Sequence, residues 1–258
     1  MTPESKQRAI DVHSEQAPAF AAAYRRAAGD AYASCFAYSR KRLEAWLDRT
    51  LPPRGDGARA IDVGCGTGHH LGLLRGRGFE VSGIDASAPM LARARKEHPD
   101  LDLRSADVEA LPYPDAHFDL ALSVEVLRYL ARPEAALREI ARVLRPGGLG
   151  LVTAAPLLNL NGYFLVNRLA AALPLPGLTR LKQYFVMPRG LARSLAQAGF
   201  TNVEVHGVYL GPINWIERLL PRALPRSLRA WEPIDTRLAD QPLLRGLSNM
   251  LLAVGRRA

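Results

Sequence analysis

Residues 58–75 constrain the chain more than any other stretch. An apolar run, ARAIDV at 58–63, leads into GCGTG at 64–68 and then into HHLGLLR at 69–75. Such a run followed by glycines at alternate positions reads as a buried strand, a tight turn and a helix. The same unit recurs downstream. FEVSGID (79–85) is a second strand, and Ser87 is placed to cap a helix, APMLARARKEH. LDLRSAD (101–107) and FDLALSVE (118–125) are further strands. Pro133 opens a helix with Leu137, Ile140, Ala141 and Leu144 on its inner face, and LGLVTAA (149–155) follows it. Strands alternating with helices predict an α/β fold, with a mostly parallel sheet and helices on both faces. In such sheets ligands bind beyond the carboxyl ends of the strands. The loops after residues 63, 85, 107 and 123 therefore share one rim.

The flanking regions are less regular. Residues 1–57 read as an N-terminal helical cap. One helix is expected over 14–28, with Ala17, Phe20, Ala21 and Tyr24 at helical spacing, and a second over 36–50. Residues 58–258 form the main domain. A late helix (188–200) leads to a strand at 202–211, and 248–257 closes the chain as another strand. Two segments, 156–187 and 212–247, stand outside the repeat and are read as insertions covering a substrate. Prolines 212, 221, 225, 233 and 242 predict short helices with bends in the second.

Composition narrows the functional classes. The formal net charge of +9 is spread along the chain rather than gathered in a basic tract, so nucleic acid is not expected as a partner. Cys35 and Cys65 form neither a disulfide framework nor a metal-ligand set, and no metal is expected. No apolar leader precedes the first helix, and no stretch has the length for a membrane span, so a cytoplasmic protein is expected.

The glycine turn points to a ligand. Its spacing, Gly64, Gly66 and Gly68, brings the third glycine one residue too early for a nicotinamide fingerprint. A phosphate-gripping G-x-x-x-x-G-K motif is absent. Asp85 follows a strand 21 residues after Gly64 and is placed to accept both hydroxyls of a ribose; alternatively it is a helix cap or turn residue. Asp107 closes the third strand and is placed for an exocyclic amine. These residues alone support an adenosine-type ligand.

Four blocks in order, DVGCGTG (62–68), IDAS (84–87), AD-x-E-x-LP-x-x-D-x-x-FD (106–119) and LREIARVLRPGG (137–148), resemble the class I S-adenosylmethionine (SAM)-dependent methyltransferases. The resemblance implies a Rossmann-like seven-stranded sheet whose last strand is antiparallel to the rest. It implies SAM as cofactor and S-adenosylhomocysteine as product. By the same resemblance Gly64, Cys65, Gly66 and Gly68 pass beneath the methionine and ribose. Asp62 helps place the amino group, and Asp85 with Ala86 holds the ribose. Met90, Asp107 and Val108 surround the adenine, while Ser123 and Val124 line the sulfonium side.

The acceptor half is read from the residues near that rim. Tyr129 in the loop after the fourth strand, His70 just after the glycine turn and His206 in a late strand are the catalytic candidates; members of the family often carry a histidine where this chain has Tyr129, so the resemblance itself assigns no base. Glu125, Arg128, Tyr163, Tyr184 and Trp215 are the substrate-binding candidates, and Arg168, Arg180 and Lys182 are placed to meet an acidic group. The helix LNGYFLVNRLAAAL has an apolar face suited to a pocket, a dimer contact or a membrane surface, and the pocket or lid is preferred. The expected activity is methyl transfer to a small hydrophobic or aromatic acceptor, by a monomer or homodimer. The rival expectations are an RNA or protein methyltransferase, a noncatalytic SAM-binding scaffold and a nicotinamide oxidoreductase.

Overall fold

The computed structural model describes residues 3–53, 55–130, 132–172 and 183–258. Two helices, α1 (Pro3–Gly29) and α2 (Cys35–Thr50), precede the sheet. The alternating core then runs β1 (Arg59–Val63), α3 (His69–Arg75), β2 (Glu80–Asp85), α4 (Ala88–Glu97), β3 (Asp102–Ser105), β4 (Phe118–Ser123), α5 (Pro133–Val143) and β5 (Leu144–Pro156). The remainder comprises α6 (Tyr163–Ala172), β6 (Phe185–Val186), α7 (Pro188–Gln197), β7 (Phe200–Tyr209), α8 (Ile213–Leu219), α9 (Leu224–Leu238) and β8 (Met250–Arg257).

Seven strands lie in the order β3-β2-β1-β4-β5-β8-β7, and the two-residue β6 pairs with β5 off that path. All neighbours are parallel except β8, which runs antiparallel to both β5 and β7. The expected sheet and its reversed last strand are therefore present, with β6 as a small addition. Strand alternation sorts side chains between two layers. Ala60, Leu120, Leu122 and Leu252 pack with Leu43 and Leu47 of α2, Leu71 of α3 and Leu91 of α4. Ile61, Val63, Ala121 and Leu251 pack on the other face with Leu137 and Ile140 of α5 and Leu191 and Leu195 of α7. Two apolar faces explain why these strands read as continuous hydrophobic runs.

Two expectations change. The first helix begins at Pro3 rather than residue 14 and continues through Pro18. Its polar start hid it, because only Ala9 among its first residues with described side chains is buried. In the 212–247 insertion, Pro233 lies inside α9 and does not end it. Within the other insertion, residues 173–182, including Arg180 and Lys182, lie outside the described residues.

A buried polar knot ties the N-terminal helices to the late insertion. Asp235 of α9 has no exposed surface. It accepts hydrogen bonds from the Tyr38 hydroxyl (2.5 Å) and the Leu210 amide (2.6 Å), and Arg42 Nε lies 3.2 Å away. Removing one partner of such a cluster strands the others in a low-dielectric interior. Asp235→Ala is expected to cost about 3–5 kcal/mol, read as a lower urea midpoint with an unchanged slope. A loss below about 1 kcal/mol would show that Arg42 and Tyr38 find other partners.

Candidate active site

The site grows from the end of β1. Gly64, Gly66 and Gly68 all have positive φ, at 82°, 53° and 95°. A Cβ on Gly64 would lie 2.3 Å from Val126 Cγ2, so this position admits only glycine without a shift. A Cβ on Gly66 would meet nothing within 4 Å, because that glycine faces open space. The turn is pinned from β2: the Gly64 and Cys65 amides both donate to Ile84 O at 2.8 Å. Asp85 adds a second clamp, its Oδ2 accepting from the Gly66 amide and its Oδ1 from the Ser87 amide, both at 2.8 Å. A carboxylate has about four acceptor positions, so Asp85 retains capacity toward the cavity beside it.

That cavity has a volume of about 530 Å³. One half is walled by Gly64–Thr67, Asp85, Ala86, Ser87, Met90, Asp107 and Val108. The other half is walled by Val124, Glu125, Val126, Arg128, Tyr129, Tyr163, Tyr209, Asn214, Glu217 and Asn249. Helix α1 roofs both with Lys6, Ala9, Ile10, His13, Phe20 and Tyr24. It is tied down by Lys6 Nζ, which donates to Asp107 Oδ1 at 2.6 Å and Glu109 Oε2 at 2.5 Å, and by a 2.8 Å contact between the Ser14 and Ser87 hydroxyls.

Several expected residues meet here and others do not. Gly64, Cys65, Gly66, Asp85, Ala86, Met90, Asp107, Val108 and Val124 border the cavity, as do Tyr129, His70, Glu125, Arg128 and Tyr163. Gly68 instead starts α3 and faces His98 and Ala94. Ser123 is buried, with its hydroxyl donating to Val63 O at 2.9 Å. His206 does not border the cavity: its ring stacks on Trp46 at 4.4 Å and its Nδ1 is 2.9 Å from Asp240. Tyr184 packs beside the α5–α7 layer, and its amide donates to Arg128 O. Trp215 is 42% exposed, its indole donating to Asn161 O, and does not border the cavity.

The electrostatics of the site are uneven. Asp62 is 1% exposed and neither carboxylate oxygen has a hydrogen-bond partner among the described residues. Burial, with Asp85 nearby, pushes its carboxyl up to about 8. Burial holds the His70 imidazole down to about 3, and its Nε2 has no partner among the described residues. Arg128 donates to Glu125 and, at 2.6 Å, to Gln183 Oε1, which leaves a neutralised cation between the Tyr129 and Tyr163 rings. Glu125 holds a left-handed φ of 61° and is anchored by its amide, which donates to Thr153 Oγ1 at 2.7 Å. Such strain in a non-glycine residue persists where its surroundings impose it.

Sequence reading expected an N-terminal helical cap but did not single out Lys6, Ile10 or His13, which line the cavity. His13 Nδ1 lies 2.7 Å from Ala9 O, an acceptor only, so Nδ1 carries the proton and Nε2 keeps a lone pair. The ring stands edge-on to Tyr129 at 4.6 Å and stacks on Phe20 at 5.6 Å. A helical stripe through Lys6, Ile10, His13, Phe20 and Tyr24 was the available signal.

The carboxyl-end cleft, the acidic residues at the ends of β1 and β2 and the open glycine turn suit a ligand with a cation, a sugar and a flat ring. A methyltransferase-domain family model matches residues 61–152. A malonyl-acyl-carrier-protein O-methyltransferase of Pectobacterium atrosepticum is 38% identical over 132 residues, 50% of each chain. The chain thus spans about half the length of such curated relatives. A ubiquinone biosynthesis O-methyltransferase of Cereibacter sphaeroides is 31% identical over 198 residues, 72% of this chain and 78% of that one. Among solved structures, a Haemonchus contortus phosphoethanolamine N-methyltransferase with bound SAM shares the fold at a TM-score of 0.62 and 20% identity, covering 91% of this chain and 56% of that one. Geranyl diphosphate C-methyltransferase of Streptomyces coelicolor does so at 0.60 and 14%, covering 85% and 81%. On the sequence match across most of a curated relative, the chain belongs to the class I SAM-dependent methyltransferases.

Proposed function

We propose that the chain transfers a methyl group from SAM to the oxygen of a small, hydrophobic or aromatic acceptor held in the tyrosine-lined half of the cavity. The single observation carrying this reading is the roofed cavity that joins the Asp85 half to the Tyr129 half. Its volume suits a cofactor and a compact acceptor. The α1 roof disfavours a polymer substrate, and the two matched relatives are both named O-methyltransferases, which supports an oxygen acceptor.

The residues fit SAM. Asp62, buried behind the turn rather than on the cavity lining, offers an unpartnered carboxyl for a cationic amine, Asp85 has acceptor capacity for ribose hydroxyls, and Ile10, Met90 and Val108 line the cavity with apolar surface for a flat ring. SAM supplies a methyl group already activated on a sulfonium, so the chain needs only to align, desolvate and deprotonate the acceptor. Tyr129, Tyr163 and Tyr209 orient the acceptor, while the paired Glu125 and Arg128 supply polar contacts without net charge. His13 Nε2 receives the acceptor proton in this reading.

Asp85→Ala should weaken SAM binding about 10- to 100-fold by calorimetry, the loss of one or two charge-assisted hydrogen bonds. Unchanged affinity in a folded variant would remove Asp85 from the ribose site. With a hydroxylated aromatic acceptor that turns over, His13→Gln should lower kcat by about a hundredfold or more. SAM affinity should stay intact in the same variant. Wild-type kcat in that variant would rule His13 out as the base.

Asp62 makes a prediction about pH. Its folded value is raised to about 8, against about 3.9 in an unfolded chain. Between those values the folded state keeps a proton that the unfolded state has released. Stability of the cofactor-free protein therefore falls as pH rises from about 4 to about 8. Urea midpoints across that range should show a downward contribution that Asp62→Asn removes; identical pH profiles for wild type and variant would contradict it.

A further inference from the structure

Helix α6 does not use its apolar face as sequence reading expected. Tyr163 at its first position borders the cavity, but Leu165 and Leu169 are 60% and 47% exposed. Leu158 and Leu160 in the loop before it are exposed as well. Helix α8 abuts this loop: the Asn214 amide donates to Asn161 Oδ1, the Trp215 indole donates to Asn161 O, and Asn214 also bonds the Tyr163 hydroxyl. Its outer side exposes Trp215, and Leu219 and Leu220 are 70% and 62% exposed. Large aliphatic side chains at this density in adjoining elements are unusual on a surface that faces only water.

The charges around this surface have one sign. Residues 156–172 contain no Asp or Glu, and residues 212–230 contain only Glu217. Glu217 is turned away, bordering the cavity and accepting from the Cys35 amide at 3.1 Å. Arg168, Arg218 and Arg222 are exposed and have no carboxylate partner among the described residues. Helix α6 carries Arg168 alone, and α8 and the turn after it add Arg218 and Arg222. Leucine and tryptophan beside unpaired arginines match a bilayer interface, where the aliphatic groups enter the acyl boundary and the guanidinium groups meet lipid phosphates. A soluble acidic protein would satisfy the arginines but leave most of the seven exposed apolar side chains without a purpose.

We infer that the α6–α8 surface docks the protein on an anionic phospholipid bilayer. The same two helices contribute Tyr163 and Asn214 to the cavity, so docking sets the acceptor half of the site beside the lipid. That consequence rests on the proposed function; the docking does not.

Sedimentation of the full chain with lipid vesicles tests this without any turnover. Binding is expected to mixed phosphatidylcholine–phosphatidylglycerol vesicles, about tenfold or more weaker to phosphatidylcholine alone, and reduced by salt. Leu165→Asp with Leu219→Asp should weaken it about tenfold or more, and Arg218→Gln with Arg222→Gln should remove the preference for the anionic lipid. Circular dichroism and SAM affinity of both double variants should match wild type, since none of the four residues borders the cavity. Failure to bind the mixed vesicles would overturn the inference, as would undiminished binding by the leucine variant. Wild-type self-association, or capture of an acyl carrier protein, that the leucine variant abolishes while no vesicle is bound would equally overturn it. A protein that binds vesicles yet shows no methyl transfer would count against the proposed function and leave the docking intact.

Discussion

Everything at the site depends on how one glycine turn is held. Three successive backbone N–H groups, those of Gly64, Cys65 and Gly66, donate to the end of β2: two to a carbonyl and the third to the Asp85 carboxylate. The turn can approach so closely because Gly64 has no Cβ to strike Val126. Asp85 is therefore both structural and available: it fixes the turn from one side and faces the cavity with what acceptor capacity remains. The parallel sheet makes this possible by delivering β1, β2 and β4 to the same rim.

Around this half the chain builds a second one from elements distant in sequence. Helix α1 crosses the rim, held by Lys6 to Asp107 and Glu109, by Ser14 to Ser87, by Arg40 to Tyr24 O and by the buried Ala17 and Ala21. The polar knot at Asp235 anchors α2 and α9 more deeply and keeps the late insertion against the cap. Between them stand the acceptor-side tyrosines and the neutralised Arg128–Glu125 pair. A half-buried pair of that kind offers hydrogen bonds without a net positive charge to repel a cationic sulfonium.

The cofactor half was legible because its information is local. Strand, glycine turn and acidic residue follow one another within a few positions, and backbone sterics dictate the outcome at Gly64 and Gly66. The acceptor half depends on contacts between elements far apart in the chain. His206 lies in a strand, and alternation alone does not say which face meets the cleft; pairing in β7 turns it toward Trp46. Trp215 and Leu165 are apolar, yet the packing of α6 and α8 leaves them outside. His13 and Lys6 lie at the polar start of α1 and read as a solvated face until α1 is seen to cross the rim.

The account stands on the claim that one roofed cavity holds the cofactor on Asp85 and aims its sulfur at His13 and Tyr129. A crystal structure with S-adenosylhomocysteine measures this directly. The prediction is ribose hydroxyls within hydrogen-bond distance of the Asp85 carboxylate, the amino group toward Asp62, and the sulfur facing the Tyr129 side with α1 closed above it. A nucleoside bound elsewhere, or α1 displaced so that His13 leaves the cavity, would contradict it.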